Sequence, residues 1–168
     1  MNKTSFYRSW IEIDLIRFKQ NLSNILSKLP SDVKYLQVVK ADAYGHGAVE
    51  ISKAALGMNI QYLGVANAVE GVLLRESGID VPIIILGPSL EEEIEDILSY
   101  DLTPSVSSLE FGQMLSERSS KIIPIHIEVD TGMGRGGFTA VNRSQIENIF
   151  QLSNLRVEGI FSHFPMSE

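Results

Sequence analysis

The sequence predicts an α/β fold built on a parallel sheet, and three observations carry that prediction. Short apolar runs rich in β-branched residues recur along the chain, segments with helical spacing separate them, and the runs start at intervals of roughly 20 to 35 residues, which suits βα units. The opening Ser9–Asp14 alternates like a half-exposed strand. Behind it Leu15, Phe18, Leu22, Ile25 and Leu26 share one helical face, with Asp14 placed to cap the helix. The runs Tyr35–Val39, Tyr62–Ala66, Pro82–Leu86, Leu102–Val106, Ile122–Ile127 and Val157–Phe161 follow as buried strands. Between the third and fourth, Ile94, Ile97 and Leu98 follow Ser89, with Glu92 three residues on as in a capping box. Glu91, Glu92 and Glu93 read as a solvated first turn that suits the helix dipole.

Six such units suit either a doubly wound sheet or a (β/α)8 barrel. A complete barrel takes about 250 residues, so 168 residues read as the amino-terminal portion of one. Composition narrows the function classes. With 44% hydrophobic residues the chain is not a disordered tail, and without cysteine it has neither disulfides nor a thiolate metal site. Fourteen basic against 21 acidic residues leave a net charge of −7, opposed to a duplex nucleic-acid binder. Met1–Trp10 has no signal-peptide core, and the most apolar stretch, Val81–Leu90, is far short of the roughly 20 residues that span a bilayer. A cytoplasmic protein is expected.

Three loops at strand ends carry the candidate chemistry. In the first, Val38-Val-Lys40-Ala-Asp-Ala-Tyr44-Gly-His-Gly47, a lysine leaves a buried strand, where desolvation favours the neutral amines that attack carbonyls. Tyr44 adds a hydroxyl, and a helix starting near Ala48 aims its amides at an anion; Gly45 and Gly47 read equally as an ordinary βα turn. The second, Glu128-Val-Asp130-Thr-Gly-Met-Gly-Arg135-Gly-Gly137, contains an Asp-Thr-Gly string and a Gly-x-Gly-x-x-Gly string. Alternating strands and helices oppose an aspartic protease, and the absence of a clear helix start in Phe138–Arg143 opposes a dinucleotide fingerprint. What remains is a glycine-rich loop presenting Arg135 beside Glu128 and Asp130, which suits either an oriented functional arginine or a structural ion pair. The third is Phe161-Ser-His163-Phe164. All three follow the carboxyl ends of strands, the face on which barrels build their sites, so one site could collect Lys40, Tyr44, Arg135 and His163. His126, inside a strand, and His46, in a turn, are weaker candidates.

These strings resemble one family. Val39–Gly47 looks like the pyridoxal-phosphate lysine motif of alanine racemases, and Val129–Arg135 and Gly159–Phe164 resemble that family's fifth and sixth strand ends. Trp10–Asp14 and Ile85–Pro88 also fit, so the resemblance covers essentially the whole chain. It implies a barrel-type pyridoxal-phosphate enzyme interconverting L- and D-alanine, the latter a peptidoglycan precursor, by two-base proton transfer. It implies a homodimer about twice this length, with residues 15–168 a partial barrel and residues 1–14 a leading strand packed on a carboxyl-terminal β domain. Lys40 would hold the cofactor and act as one base, Tyr44 would bind its phosphate, Arg135 would contact its phenolic oxygen and His163 would lie against its ring. Glu128 stands where the family often has a carbamylated lysine, and Gly136 where it has a larger apolar residue. No metal ligand set is assigned. The alternatives are a non-catalytic cofactor-binding or assembly module and another barrel-type enzyme on the same cofactor, such as a decarboxylase.

Overall fold

The computed structural model describes residues 9–166. Six strands, β1 (Leu36–Val38), β2 (Tyr62–Val65), β3 (Ile83–Pro88), β4 (Thr103–Val106), β5 (Ile123–Glu128) and β6 (Leu155–Phe161), alternate with helices. The helices are α1 (Leu15–Leu26), the short turn α2 (Lys40–Gly45), α3 (Ala48–Leu56), α4 (Ala68–Glu76), α5 (Ile94–Ser99), α6 (Leu109–Arg118) and α7 (Arg143–Ile149). Every neighbouring pair of strands is parallel, and the strand order is β1-β2-β3-β4-β5-β6.

That order decides between the two architectures. A doubly wound sheet reverses its strand order at a switch point, whereas here each strand adds beside the one before it in chain order, an order that right-handed crossovers build with the helices on one face. The sheet comprises six of the βα units from which a (β/α)8 barrel is built. Side-chain alternation sorts the two faces. On β5, Ile123, Ile125 and Ile127 are buried and join Phe111, Leu115 and Ile149 of the helices in one apolar cluster, while Pro124, His126 and Glu128 alternate to the concave side. There a small residue sits between large ones: a Cβ on Gly64 would come within 2.7 Å of Leu36 Cδ2 and 2.8 Å of Leu86 Cδ1.

Asp14 caps α1 as expected, its Oδ1 accepting from the Ile16 and Arg17 N–H groups at 2.9 and 3.0 Å. The leading strand differs. Residues 10–14 form no ladder, because a strand exists only by pairing and no described segment lies alongside. Ile13 packs on the core while Trp10 and Ile11 are exposed; residues 1–8 fall outside the described ones. The helical turn before α5 also starts one residue later than expected. Its box is closed by Glu93, whose Oε2 accepts from the Leu90 N–H at 2.8 Å, and not by Ser89 with Glu92. Among the described residues no helix is long and apolar enough to cross a membrane.

Candidate functional site

At the carboxyl ends of the strands a cavity of about 350 Å³ is lined by Lys40, Tyr44, Glu128, Arg135 and His163 together with strand-end residues Val38, Ala66, Leu86 and Phe161. All five residues singled out in the sequence therefore meet in one space, although they come from loops up to 123 residues apart, from Lys40 to His163. A neighbouring cavity of about 480 Å³ beside α1 and β1 shares Val38 and Tyr44 but reaches neither Lys40 nor Arg135.

The loop after β1 holds a conformation that the sequence conceals. Ala41, Asp42, Ala43 and Tyr44 have φ of 50, 54, 51 and 56° with ψ between 37 and 49°, so four consecutive residues of α2, none of them glycine, form a left-handed helical turn. Each such residue costs on the order of 1–2 kcal/mol, and left-handed residues normally occur singly. The turn persists because its backbone is tied at several points: Ala43 N–H to Val39 O at 2.8 Å and Gly47 N–H to Asp42 O at 3.0 Å. Ala41 N–H donates to Glu70 Oε1 at 2.8 Å. The result places Lys40, half-buried, at the base of the turn and Tyr44, 63% exposed, at its top. Helix α3 starts at Ala48 as expected, yet its first amide is not free for an anion, because Ala48 N–H donates to Asp42 Oδ1 at 2.7 Å. Asp42 thereby supplies the side-chain cap that Gly47 lacks.

The loop after β5 is shaped by Asp130. Its Oδ1 accepts from the Gly132 and Gly134 N–H groups at 2.9 and 3.0 Å, and these bonds hold its carboxyl below the usual range. The base of the loop closes through Asp130 N–H to Phe138 O and Phe138 N–H to Glu128 O, both 2.8 Å. Gly137, at φ 103°, passes so close that a Cβ would lie 2.8 Å from Asp130 N. A 3-10 turn at Ala140–Asn142, with Thr139 as its N-cap, leads into α7 at Arg143, so a helical turn does begin within the Phe138–Arg143 stretch where no clear start was expected. The expectation that both carboxylates orient Arg135 is corrected. Asp130 is spent on loop amides, and among the described residues no ion pair within 4 Å reaches Arg135.

Glu128 makes no ion pair with Arg135 but feels its charge. It ends β5 as a strand residue, 4% exposed, and its Oε2 has no hydrogen-bond partner among the described residues. Burial pushes its carboxyl up, Arg135 pulls it down, Asp130 adds to the rise and His163 opposes it. A buried carboxylate oxygen without a donor, near a guanidinium, is arranged to receive one. His126, half-buried on the same strand, is pushed down by burial, with Glu158 opposing. It lies beneath the site against Phe161, ring centroids 6.5 Å apart, and takes no part in the cavity lining.

The family model described as "Alanine racemase, N-terminal domain" matches residues 13–168. The chain belongs to that family. Alanine racemase from Carboxydothermus hydrogenoformans is 39% identical over 162 residues, 95% of this chain and 44% of the relative. Among solved structures, Clostridium difficile 630 alanine racemase in complex with cycloserine is 38% identical with a TM-score of 0.85, over 92% of this chain and 43% of that one. Alanine racemase from Bacillus anthracis with bound L-Ala-P is 34% identical with a TM-score of 0.86, over 96% of this chain and 43% of that one. This alanine racemase amino-terminal domain thus spans less than half the length of the relatives it matches.

Proposed function

We propose that the full-length protein is a pyridoxal-phosphate-dependent racemase that interconverts L- and D-alanine, acting as a cytoplasmic homodimer, with this domain supplying the lysine face of its site. The convergence of Lys40, Tyr44, Arg135, His163 and Glu128 on one cavity carries the reading. The donor set fits the cofactor: a primary amine for its aldehyde, a hydroxyl for its phosphate, a guanidinium for its phenolic oxygen, and an orphaned carboxylate oxygen on Glu128 to steady that guanidinium. When bound, pyridoxal phosphate supplies an electron sink that makes the substrate's α-proton removable. Lys40 would hold it covalently and would move a proton at the α-carbon from one face. Tyr44 would bind the phosphate, Arg135 would place positive charge at the phenolic oxygen, and His163 would lie against the ring.

Glu128 stands in for a carbamylated lysine by presenting a carboxylate toward Arg135, and the bare Gly136 leaves it room. The relatives crystallised with cycloserine and with L-Ala-P support a small, alanine-like substrate. The test is borohydride reduction of the protein mixed with pyridoxal phosphate, followed by peptide mass mapping. The pyridoxyl group is expected on Lys40; label on another lysine, or no label, overturns the assignment.

A further inference from the structure

We propose that Glu70 is a positioning residue that clamps the left-handed turn carrying Lys40 and Tyr44, an inference that rests on the reading of Lys40 as the cofactor lysine. Glu70 lies on α4, outside the cavity lining. Its Oε1 accepts from the Ala41 N–H and its Oε2 from the Ala66 N–H, both at 2.8 Å. Ala41 directly follows Lys40, and Ala66 directly follows β2 and lines the cavity. One carboxylate therefore ties the ends of two strands together at the site. A carboxylate is all acceptor and can serve an amide with each oxygen. No other side chain type of that length does both jobs, since a Gln amide has one acceptor and one donor end.

The need for such a clamp comes from the turn. Four consecutive residues without glycine sit in the left-handed region, which the backbone leaves unless it is held. Ala43 and Gly47 are tied within the turn, but its first amide is bonded by Glu70 from 29 residues away. Glu70 is itself fixed, because it sits in the first turn of α4, where its N–H donates to Asn67 Oδ1 at 3.0 Å.

The device repeats one unit further on. Glu93 Oε1 accepts from the Ala68 N–H at 3.0 Å, at the start of α4, and its Oε2 from the Leu90 N–H at 2.8 Å. Two carboxylates thus fasten the loops after β3, β2 and β1 in series, and the series ends at Lys40. Glu93, read from sequence as a solvated charge, is half-buried and belongs to it.

The experiment compares wild-type, Glu70→Gln and Glu93→Gln full-length proteins. Without cofactor, residue-resolved amide exchange is measured. With pyridoxal phosphate and borohydride, the rate of pyridoxylation of Lys40 is measured against that of exposed Lys53. In Glu70→Gln, exchange at Ala41 or Ala66 is expected to rise about tenfold while the strand amides of Leu63, Ile84 and Ile125 hold within about twofold. Lys40 labelling should slow about fivefold or more, with Lys53 unchanged. Unchanged exchange overturns the clamp, and faster exchange with unchanged Lys40 labelling overturns its positioning role. Should Glu70→Gln lose strand protection altogether, Glu93→Gln decides, because it leaves Glu70 in place and frees only the base of its helix. It must then raise exchange at Ala41 by about threefold, and no change there overturns the coupling. If wild-type Lys40 takes no label, the cofactor reading fails, and the exchange arm still reads the clamp.

Discussion

The carboxylate of Glu128 rests against the bare Cα of Gly136: a Cβ built there would lie 3.2 Å from Glu128 Oε2, the buried oxygen that has no partner among the described residues. Because burial raises the Glu128 carboxyl above its ordinary range, the folded state binds its proton more tightly than the unfolded state does. The associated stability is fully present below the unfolded carboxylate range and is lost as pH rises through the raised folded value. Glu128→Gln, neutral at every pH, should therefore unfold at a higher temperature than wild type at pH 7, the difference shrinking toward zero in acid. Thermal melts of the cofactor-free protein from pH 4 to 8 measure this, and a Gln variant less stable at pH 7 would reject it. The same variant should lose racemase activity on the order of tenfold, since the carboxylate facing Arg135 is gone. Added bicarbonate should leave wild-type activity unchanged.

Arg75 holds the opposite, amino-terminal end of the strands. Its guanidinium donates to four carbonyls, Ile79 O at 2.6 Å, Val81 O at 2.7 Å, Tyr100 O at 2.9 Å and Asp101 O at 3.0 Å, and so joins the segments leading into β3 and β4. Water replaces part of this network when it is lost. Arg75→Ala is expected to cost about 2–4 kcal/mol in urea unfolding, and Arg75→Lys to recover less than half, because an ammonium has three donors and no planar fork. Equal stability of the Lys variant and wild type would show that charge, not the fork, matters.

His126 and Gly159 face each other across β5 and β6. A Cβ on Gly159 would lie 2.7 Å from the imidazole Cε1, and the ring is backed by Phe161. Gly159→Ala should destabilise by about 1–3 kcal/mol, and in a His126→Ala background that cost should largely disappear. A double-mutant cycle in urea gives the coupling directly; additive effects would mean that the backbone, not the ring, resists the methyl.

These sites differ in how far the sequence reveals them. The six strands were legible to within a residue or two, since a β-branched run such as Ile83-Ile-Ile85 has few ways to bury itself, and Asp14 announced α1 through local chemistry. That Lys40, Tyr44, Arg135 and His163 would line one cavity was legible because the loop carrying each follows such a run. The left-handed turn was not, because Ala41–Tyr44 contains no glycine, and nothing local signals positive φ in alanine. Glu70 and Glu93 were hidden for another reason: their partners Ala41 and Ala68 lie 29 and 25 residues away, and a carboxylate in a first helical turn reads as solvated until the neighbouring loop is in place. Asp130 was seen, but its engagement by Gly132 and Gly134 depends on the fold of the loop itself.

The isolated 168-residue chain is expected not to racemise alanine, and the reason is geometric. In a two-base racemisation, inversion takes a base on one face of the α-carbon and an acid on the other. Lys40 stands on one face only. Of the other groups lining the cavity, Tyr44 is assigned to phosphate, His163 to the ring and Arg135 to the phenolic oxygen. Glu128, almost wholly buried at the end of β5, is assigned to Arg135. Stability points the same way, since β1 and β6 each pair on one side only among the described residues, and unpaired edges invite association. Chiral chromatography of L-alanine incubated with pyridoxal phosphate and either the 168-residue chain or the full-length protein measures the difference. D-alanine is expected from the full-length protein alone. Comparable turnover by both would mean that one of the residues already lining this cavity serves as the second base, with Tyr44 the first to be replaced by Phe in finding it.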